Sequence, residues 1–117
     1  MKATVRYFHS PDVDLATYRP DDPSDAGVLI QIIAGPLDGP GEESFDVFVC
    51  TLHWLDRRVR TVGPLVGRHY LVVEAFDAPR IQEFLTNEVE SSHDETWLEL
   101  AAKIGRIGKW EFEDYTP

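Results

Sequence analysis

The stretch GVLIQIIA at residues 27–34 decides the fold, because it is a nearly continuous run of β-branched and aliphatic residues. Such a run is typical of a central strand that is buried on both faces. Gly35 and Pro36 end the run, and residues 37–42 (LDGPGE) are rich in turn-forming residues. Residues 43–51 form the next strand-like segment. The short link predicts an antiparallel hairpin.

Two further strands are predicted on either side of this hairpin in the sequence. Residues 2–9 alternate in polarity, which is typical of a half-buried strand whose core-facing side chains are Ala3, Val5 and Tyr7. Residues 68–76, with YLVV at their centre, form another strand. Between the first strand and the hairpin, residues 10–25 contain three prolines and five aspartates, which predict a long surface loop.

Helical periodicity replaces the strand pattern after residue 77. Asp77 is a suitable N-cap, and Pro79 fits the first turn of a helix that ends near Ser91. The apolar residues at helical spacing are expected to face the core. They are Ile81, Phe84, Leu85 and Val89.

A second C-terminal helix is predicted to start in SHDE at residues 92–95, which fits a capping box, and to bury Trp97 and Leu100. Residues 52–57 predict only a short helical turn. Strands that precede helices favour an α+β fold. We therefore expect an antiparallel sheet of about four strands with two C-terminal helices packed on one face. The 117 residues are the usual length of a single domain, residues 1–117.

Composition restricts the class of protein. A single cysteine, Cys50, allows no intramolecular disulfide. No apolar run approaches the roughly 18 residues of a membrane span, and the N-terminal residues do not form a signal peptide, so we expect a cytoplasmic protein without a membrane partner. The net charge of −10 disfavours nucleic acid and favours basic partners.

No motif for catalysis, cofactor binding or metal binding is present in the sequence. It contains no phosphate-binding glycine loop, no His-Glu-x-x-His and no Cys-x-x-Cys, and its histidines share no ligand spacing. We therefore expect no enzyme activity, no cofactor and no metal.

Three segments carry acidic residues that are candidates for partner binding. They are the proline-broken loop, the hairpin turn and the C-terminal tail, where aromatic residues alternate with acids. Aromatic anchors rimmed by charge are typical of protein interfaces. We therefore predict one acidic face that two or all three segments build. The candidate residues are Asp12, Asp14, Asp21, Asp22, Asp38, Glu42, Glu43, Trp110, Glu111, Glu113 and Asp114.

Two other classes of function stay open at this point. His9 with Asp12 or Asp14 would suit a small enzyme, because these residues follow a strand and lie on a loop, where active sites often lie. Alternatively, the acidic surface would serve an adaptor subunit of another assembly. An adaptor, like any other protein that works by binding a partner, needs only a binding face.

Five segments in the same order resemble the immunity protein 8 family. They are HSPDVDL at residues 9–15, GEESFDVFVCT at 41–51, WL at 54–55, GRHYLVV at 67–73 and WEFEDY at 110–115. The resemblance implies an α+β immunity protein of a bacterial polymorphic toxin system. Such a protein binds the effector domain of a toxin encoded beside it and protects the producing cell. If that toxin is a nuclease, a basic catalytic domain would suit the acidic charge.

Overall fold

The computed structural model describes residues 1–114, so Tyr115 of the predicted aromatic tail lies outside the described residues. The elements in chain order are β1 (Ala3–His9), β2 (Gly27–Pro36), β3 (Glu43–Thr51), α1 (Leu52–Val62), β4 (Tyr70–Val73), α2 (Ala78–Glu90), α3 (Trp97–Ile104) and β5 (Lys109–Trp110). The sheet order is β1-β2-β3-β4, and β5 pairs with β3. The expected α+β class is confirmed, and the sheet is mostly antiparallel.

Strand β2 is fully buried on one face only, which corrects the expectation that residues 27–34 are covered on both faces. The buried side chains alternate along the strand: Val28, Ile30, Ile32 and Ala34. Those at positions 29, 31 and 33 are only half-buried. The buried row packs with Leu85 of α2 and Leu100 of α3 in one core. Since α2 and α3 both pack on this side, neither of them covers the other face.

Strand β1 contains a bulge that reverses which residues face the core. Val5 is opposite Ala34, whereas Tyr7 is opposite Ile33, so the register shifts between them. An extra residue in one strand turns the following side chains to the other face. The prediction for Tyr7 is therefore wrong: its side chain is 51% exposed, and Phe8 packs against the core in its place.

Helix α1 is longer than the short turn that residues 52–57 predict. Because it carries the chain back along the sheet, β4 runs parallel to β3. The Thr51 hydroxyl caps the helix by accepting a hydrogen bond from the backbone N–H of Trp54, and Gly63 ends it. The helix connects β3 to β4, which pair in parallel, with Phe48 opposite Tyr70. Parallel neighbours need such a crossover connection, because a tight turn reverses the chain.

Helix α2 begins and ends as predicted, whereas α3 begins later than SHDE. Asp77 Oδ1 accepts a hydrogen bond from the backbone N–H of Arg80 at 3.2 Å. The segment at 92–95 instead holds the N-terminus, because His93 forms a β-bridge with Lys2 and the Asp94 carbonyl accepts a hydrogen bond from the terminal ammonium. Thr96 therefore caps α3.

The core-facing stripe of α2 is narrower than its sequence predicts. Ile81, Leu85 and Val89 are buried, at intervals of four residues. Phe84 is 48% exposed, so its predicted burial is wrong. It lies one position before Leu85, about 100° around the helix, at the margin of the contact with the sheet. Trp97 is half-buried at the edge of the core.

Candidate functional site

The hairpin turn and the C-terminal tail meet at one end of the sheet. The backbone N–H of Ser44 donates to Glu111 Oε1 at 2.8 Å, and the backbone N–H of Glu111 donates to the Ser44 carbonyl at 3.1 Å. Asp38 and Glu42 are exposed on the turn beside this contact. Two of the three predicted acidic segments are therefore brought together.

Glu43 faces the core side of this end and joins two tryptophans. Its Oε2 accepts a hydrogen bond from Trp97 Nε1 at 3.0 Å and another from Trp110 Nε1 at 2.7 Å. Trp110 is half-buried against the core and contacts Phe112 edge-on. The Glu43 carboxylate therefore fixes the tail on the sheet by hydrogen bonds that a charged acceptor strengthens.

The last two candidate acids lie beside the start of β4. Glu113 Oε1 accepts a hydrogen bond from Arg68 Nη2 at 2.7 Å and lies 3.6 Å from His69 Nε2. His69 Nε2 donates to the Gly105 carbonyl at 2.7 Å. Asp114 is exposed. Glu113 thus holds the tail against β4, and only Asp114 of this pair presents a carboxylate without a salt bridge within residues 1–114.

The four candidate aspartates of the long loop lie at the opposite end of the sheet from the hairpin turn, because the loop connects the end of β1 to the start of β2. They are exposed: Asp12, Asp14, Asp21 and Asp22. Asp22 accepts hydrogen bonds from the hydroxyl and backbone N–H of Ser24, which lower the pKa of Asp22. Tyr18 anchors the loop by edge-on contact with Phe76.

The residues of the enzyme alternative do not form a catalytic arrangement among the described residues. His9 is exposed and lies opposite Gln31 of β2. Asp14 Oδ1 accepts from the backbone N–H of Ala16, and no hydrogen bond or ion pair joins His9 to Asp12 or Asp14 within residues 1–114. The same part of the chain contains no group of three or more His, Cys, Asp or Glu side chains placed to hold a metal ion.

The side of the sheet opposite α2 and α3 is a surface that the sequence did not indicate. We call it the open face. Its side chains follow from the strand register: Tyr7, His9, Leu29, Gln31, Ile33, Asp46, Phe48, Tyr70 and Val72. Trp54 of α1 borders it, with its ring 5.0 Å from that of Phe48. The alternating residue pattern of β3 could have indicated this face, because Asp46 and Phe48 lie between the buried Phe45, Val47 and Val49.

The fold and these surfaces define an acidic, two-layer α+β protein. The chain belongs to the immunity protein 8 family, whose family model matches residues 3–115. Membership implies a toxin immunity protein and indicates a non-enzymatic role. No curated protein and no solved structure matches this chain. None of the helices within residues 1–114 is long and apolar enough to cross a membrane.

Proposed function

We propose that this protein binds the effector domain of a cognate bacterial toxin and neutralises it, so that the producing cell is protected. The observation that carries the proposal is the family match over residues 3–115. Neutralisation of this kind needs a binding surface and no chemistry by this chain, because a bound partner can cover the toxin's active site or hold it inactive.

The acids of the loop and the hairpin turn are the proposed steering charges. None of these side chains forms a salt bridge within the part of the chain that the structure describes, so their charges are available to a partner: Asp12, Asp14, Asp21, Asp22, Asp38 and Glu42. At the hairpin end, the proposed surface continues from the turn into the tail, with Glu43, Trp110, Glu111, Glu113 and Asp114. The loop aspartates would steer the partner from the opposite end of the sheet. The acidic character of the proposed surface favours a basic effector domain, such as that of a nuclease.

Co-expression with the toxin encoded beside this gene tests the proposal. Growth should be restored when both proteins are made, and the two should co-elute when the toxin carries an inactivating substitution. The matched control is the same plasmid with an early stop codon in the immunity gene, which keeps the message but removes the protein. Equal killing with and without the intact protein would refute the proposed function.

A further inference from the structure

We infer that the toxin docks on the open face of the sheet and places an arginine or lysine side chain against Asp46. This inference rests on the proposed function and deepens it, because it assigns the contact surface and the chemistry of the group that the surface receives.

The open face is too apolar for a surface that only faces solvent. Antiparallel sheets with one covered face normally carry polar residues on the other. Here Phe48 contacts Trp54 on one side and Tyr70 on the other, with ring centroids 5.0 Å and 5.3 Å apart. Val72, two residues after Tyr70 on the same face of β4, extends this patch and is 41% exposed. Tyr7, on β1 beyond the polar pair of Gln31 and Asp46, is 51% exposed. Contiguous patches with aromatic side chains mark interaction sites and supply the anchors of interfaces.

Asp46 provides the charge that selects the occupant. It lies on β3, opposite Gln31 of β2 and Lys109 of β5. Its Oδ1 is buried and accepts no hydrogen bond within residues 1–114. Lys109 forms no salt bridge with it. A buried carboxylate oxygen without a donor is destabilising. Asp46 as a residue is only half-buried, so a cation from a partner can approach its accessible side and stabilise the carboxylate charge.

The charges at the two ends of the open face orient the partner. Glu42 lies at the hairpin end, where its Oε1 is 3.4 Å from the hydroxyl of Tyr7. Arg58 lies at the other end, where it lines a small depression with Trp54. Arg57 beside it is already paired with Asp25. A toxin surface is complementary to these charges if it carries basic groups over Asp46 and Glu42 and an acidic group near Arg58.

A second copy of this chain is a poorer occupant than a basic partner. Two open faces related by a two-fold axis would bring two Asp46 carboxylates into one interface, where like charges repel. The net charge of −10 on each chain adds to that repulsion.

The test compares two pairs of matched variants in binding to the inactivated toxin domain. Asp46→Asn and Glu83→Gln make the same change of charge, but Glu83 lies on the exposed side of α2, away from the open face. Val72→Arg and Val66→Arg add the same side chain, but Val66 is 86% exposed in the loop before β4. We expect Asp46→Asn and Val72→Arg to raise Kd at least about tenfold, mainly through faster dissociation, and the two controls to change it less than about twofold.

Thermal unfolding and size measurements separate the possible outcomes. Asp46→Asn should keep or raise the Tm, because it removes an unpaired buried charge, so weaker binding cannot be attributed to misfolding. Wild-type binding by both open-face variants would overturn this inference and leave the proposed function intact. A wild-type protein that neither binds nor protects would overturn both. A dimer that Val72→Arg converts to a monomer would assign the face to self-association and overturn the inference.

Discussion

At the scale of single residues, Asp94 links three parts of the chain. Its carbonyl accepts a hydrogen bond from the N-terminal ammonium at 2.8 Å. The backbone N–H of Glu95 donates to Asp94 Oδ1, and Lys103 Nζ lies 3.0 Å from Oδ2. The Glu95 hydrogen bond, followed by the contact with Lys103, lowers the pKa of Asp94 to about 2. The folded state therefore favours the ionised form.

We predict that this residue makes stability depend on pH in acid. Because the folded pKa is depressed, the stabilisation is fully present above the unfolded pKa of about 4 and is lost as the pH falls through about 2. Asp94→Asn should lower the Tm at neutral pH, and the difference from wild type should vanish towards pH 2 in a series of thermal melts. Asp38→Asn is the control, expected to leave the Tm unchanged throughout. A difference for Asp94→Asn that stays constant from neutral pH to about pH 2 contradicts the prediction.

At the scale of elements, we predict that two adjacent residues of α2 differ sharply in their effect on stability. Leu85→Ala removes a fully buried side chain and should lower the free energy of unfolding by ~2–5 kcal/mol. Phe84→Ala removes a side chain that is 48% exposed, and we expect a cost of about 1 kcal/mol or less. Denaturant titration of both variants measures the difference. Equal losses of unfolding free energy in the two variants would mean that α2 packs with a wider face than the burial of its side chains indicates.

The same elements show what the sequence can predict. The start of α2 was predictable because Asp77 and Pro79 act within one turn. The exposure of Phe84 was not, since helical spacing does not give the width of the face that neighbours cover. The single buried face of β2 was equally hidden, because Leu29 and Ile33 are apolar although neither α2 nor α3 covers them. The parallel direction of β4 depends on the full length of α1, which LHWLDR alone did not indicate.

The candidate surface was predictable in part. Composition identified exposed acids such as Asp38 and Asp21 because charged side chains rarely lose their hydration. It did not indicate that the loop and the hairpin turn lie at opposite ends of the sheet, because this follows from strand direction. Nor did it single out Asp46, which is one acid in an otherwise strand-like run. It becomes unusual only because no donor within residues 1–114 reaches its buried Oδ1.

At the scale of the whole molecule, we predict that the acidic charge governs how fast the partner is captured. Association with a basic toxin domain should slow as ionic strength rises, because salt screens exposed charges. Glu42→Lys should lower the association rate constant by on the order of two- to fivefold, a fraction of what full steering provides. Glu83→Lys, an equal change of charge on the outer side of α2, should have a smaller effect. Stopped-flow kinetics at several salt concentrations measures the association rate constants of both variants. Equal effects of the two substitutions would mean that the partner first contacts the protein away from Glu42.

The hydrogen bonds that join Trp97 and Trp110 to Glu43 have an optical consequence. These two indoles are held by one carboxylate on the core side of the sheet, whereas Trp54 borders the open face. The intrinsic fluorescence of the protein therefore comes from two separate environments. Detachment of the tail would alter the emission of the paired indoles, and a partner that covers the open face would alter that of Trp54. Tryptophan fluorescence can therefore report on changes at each side of the sheet.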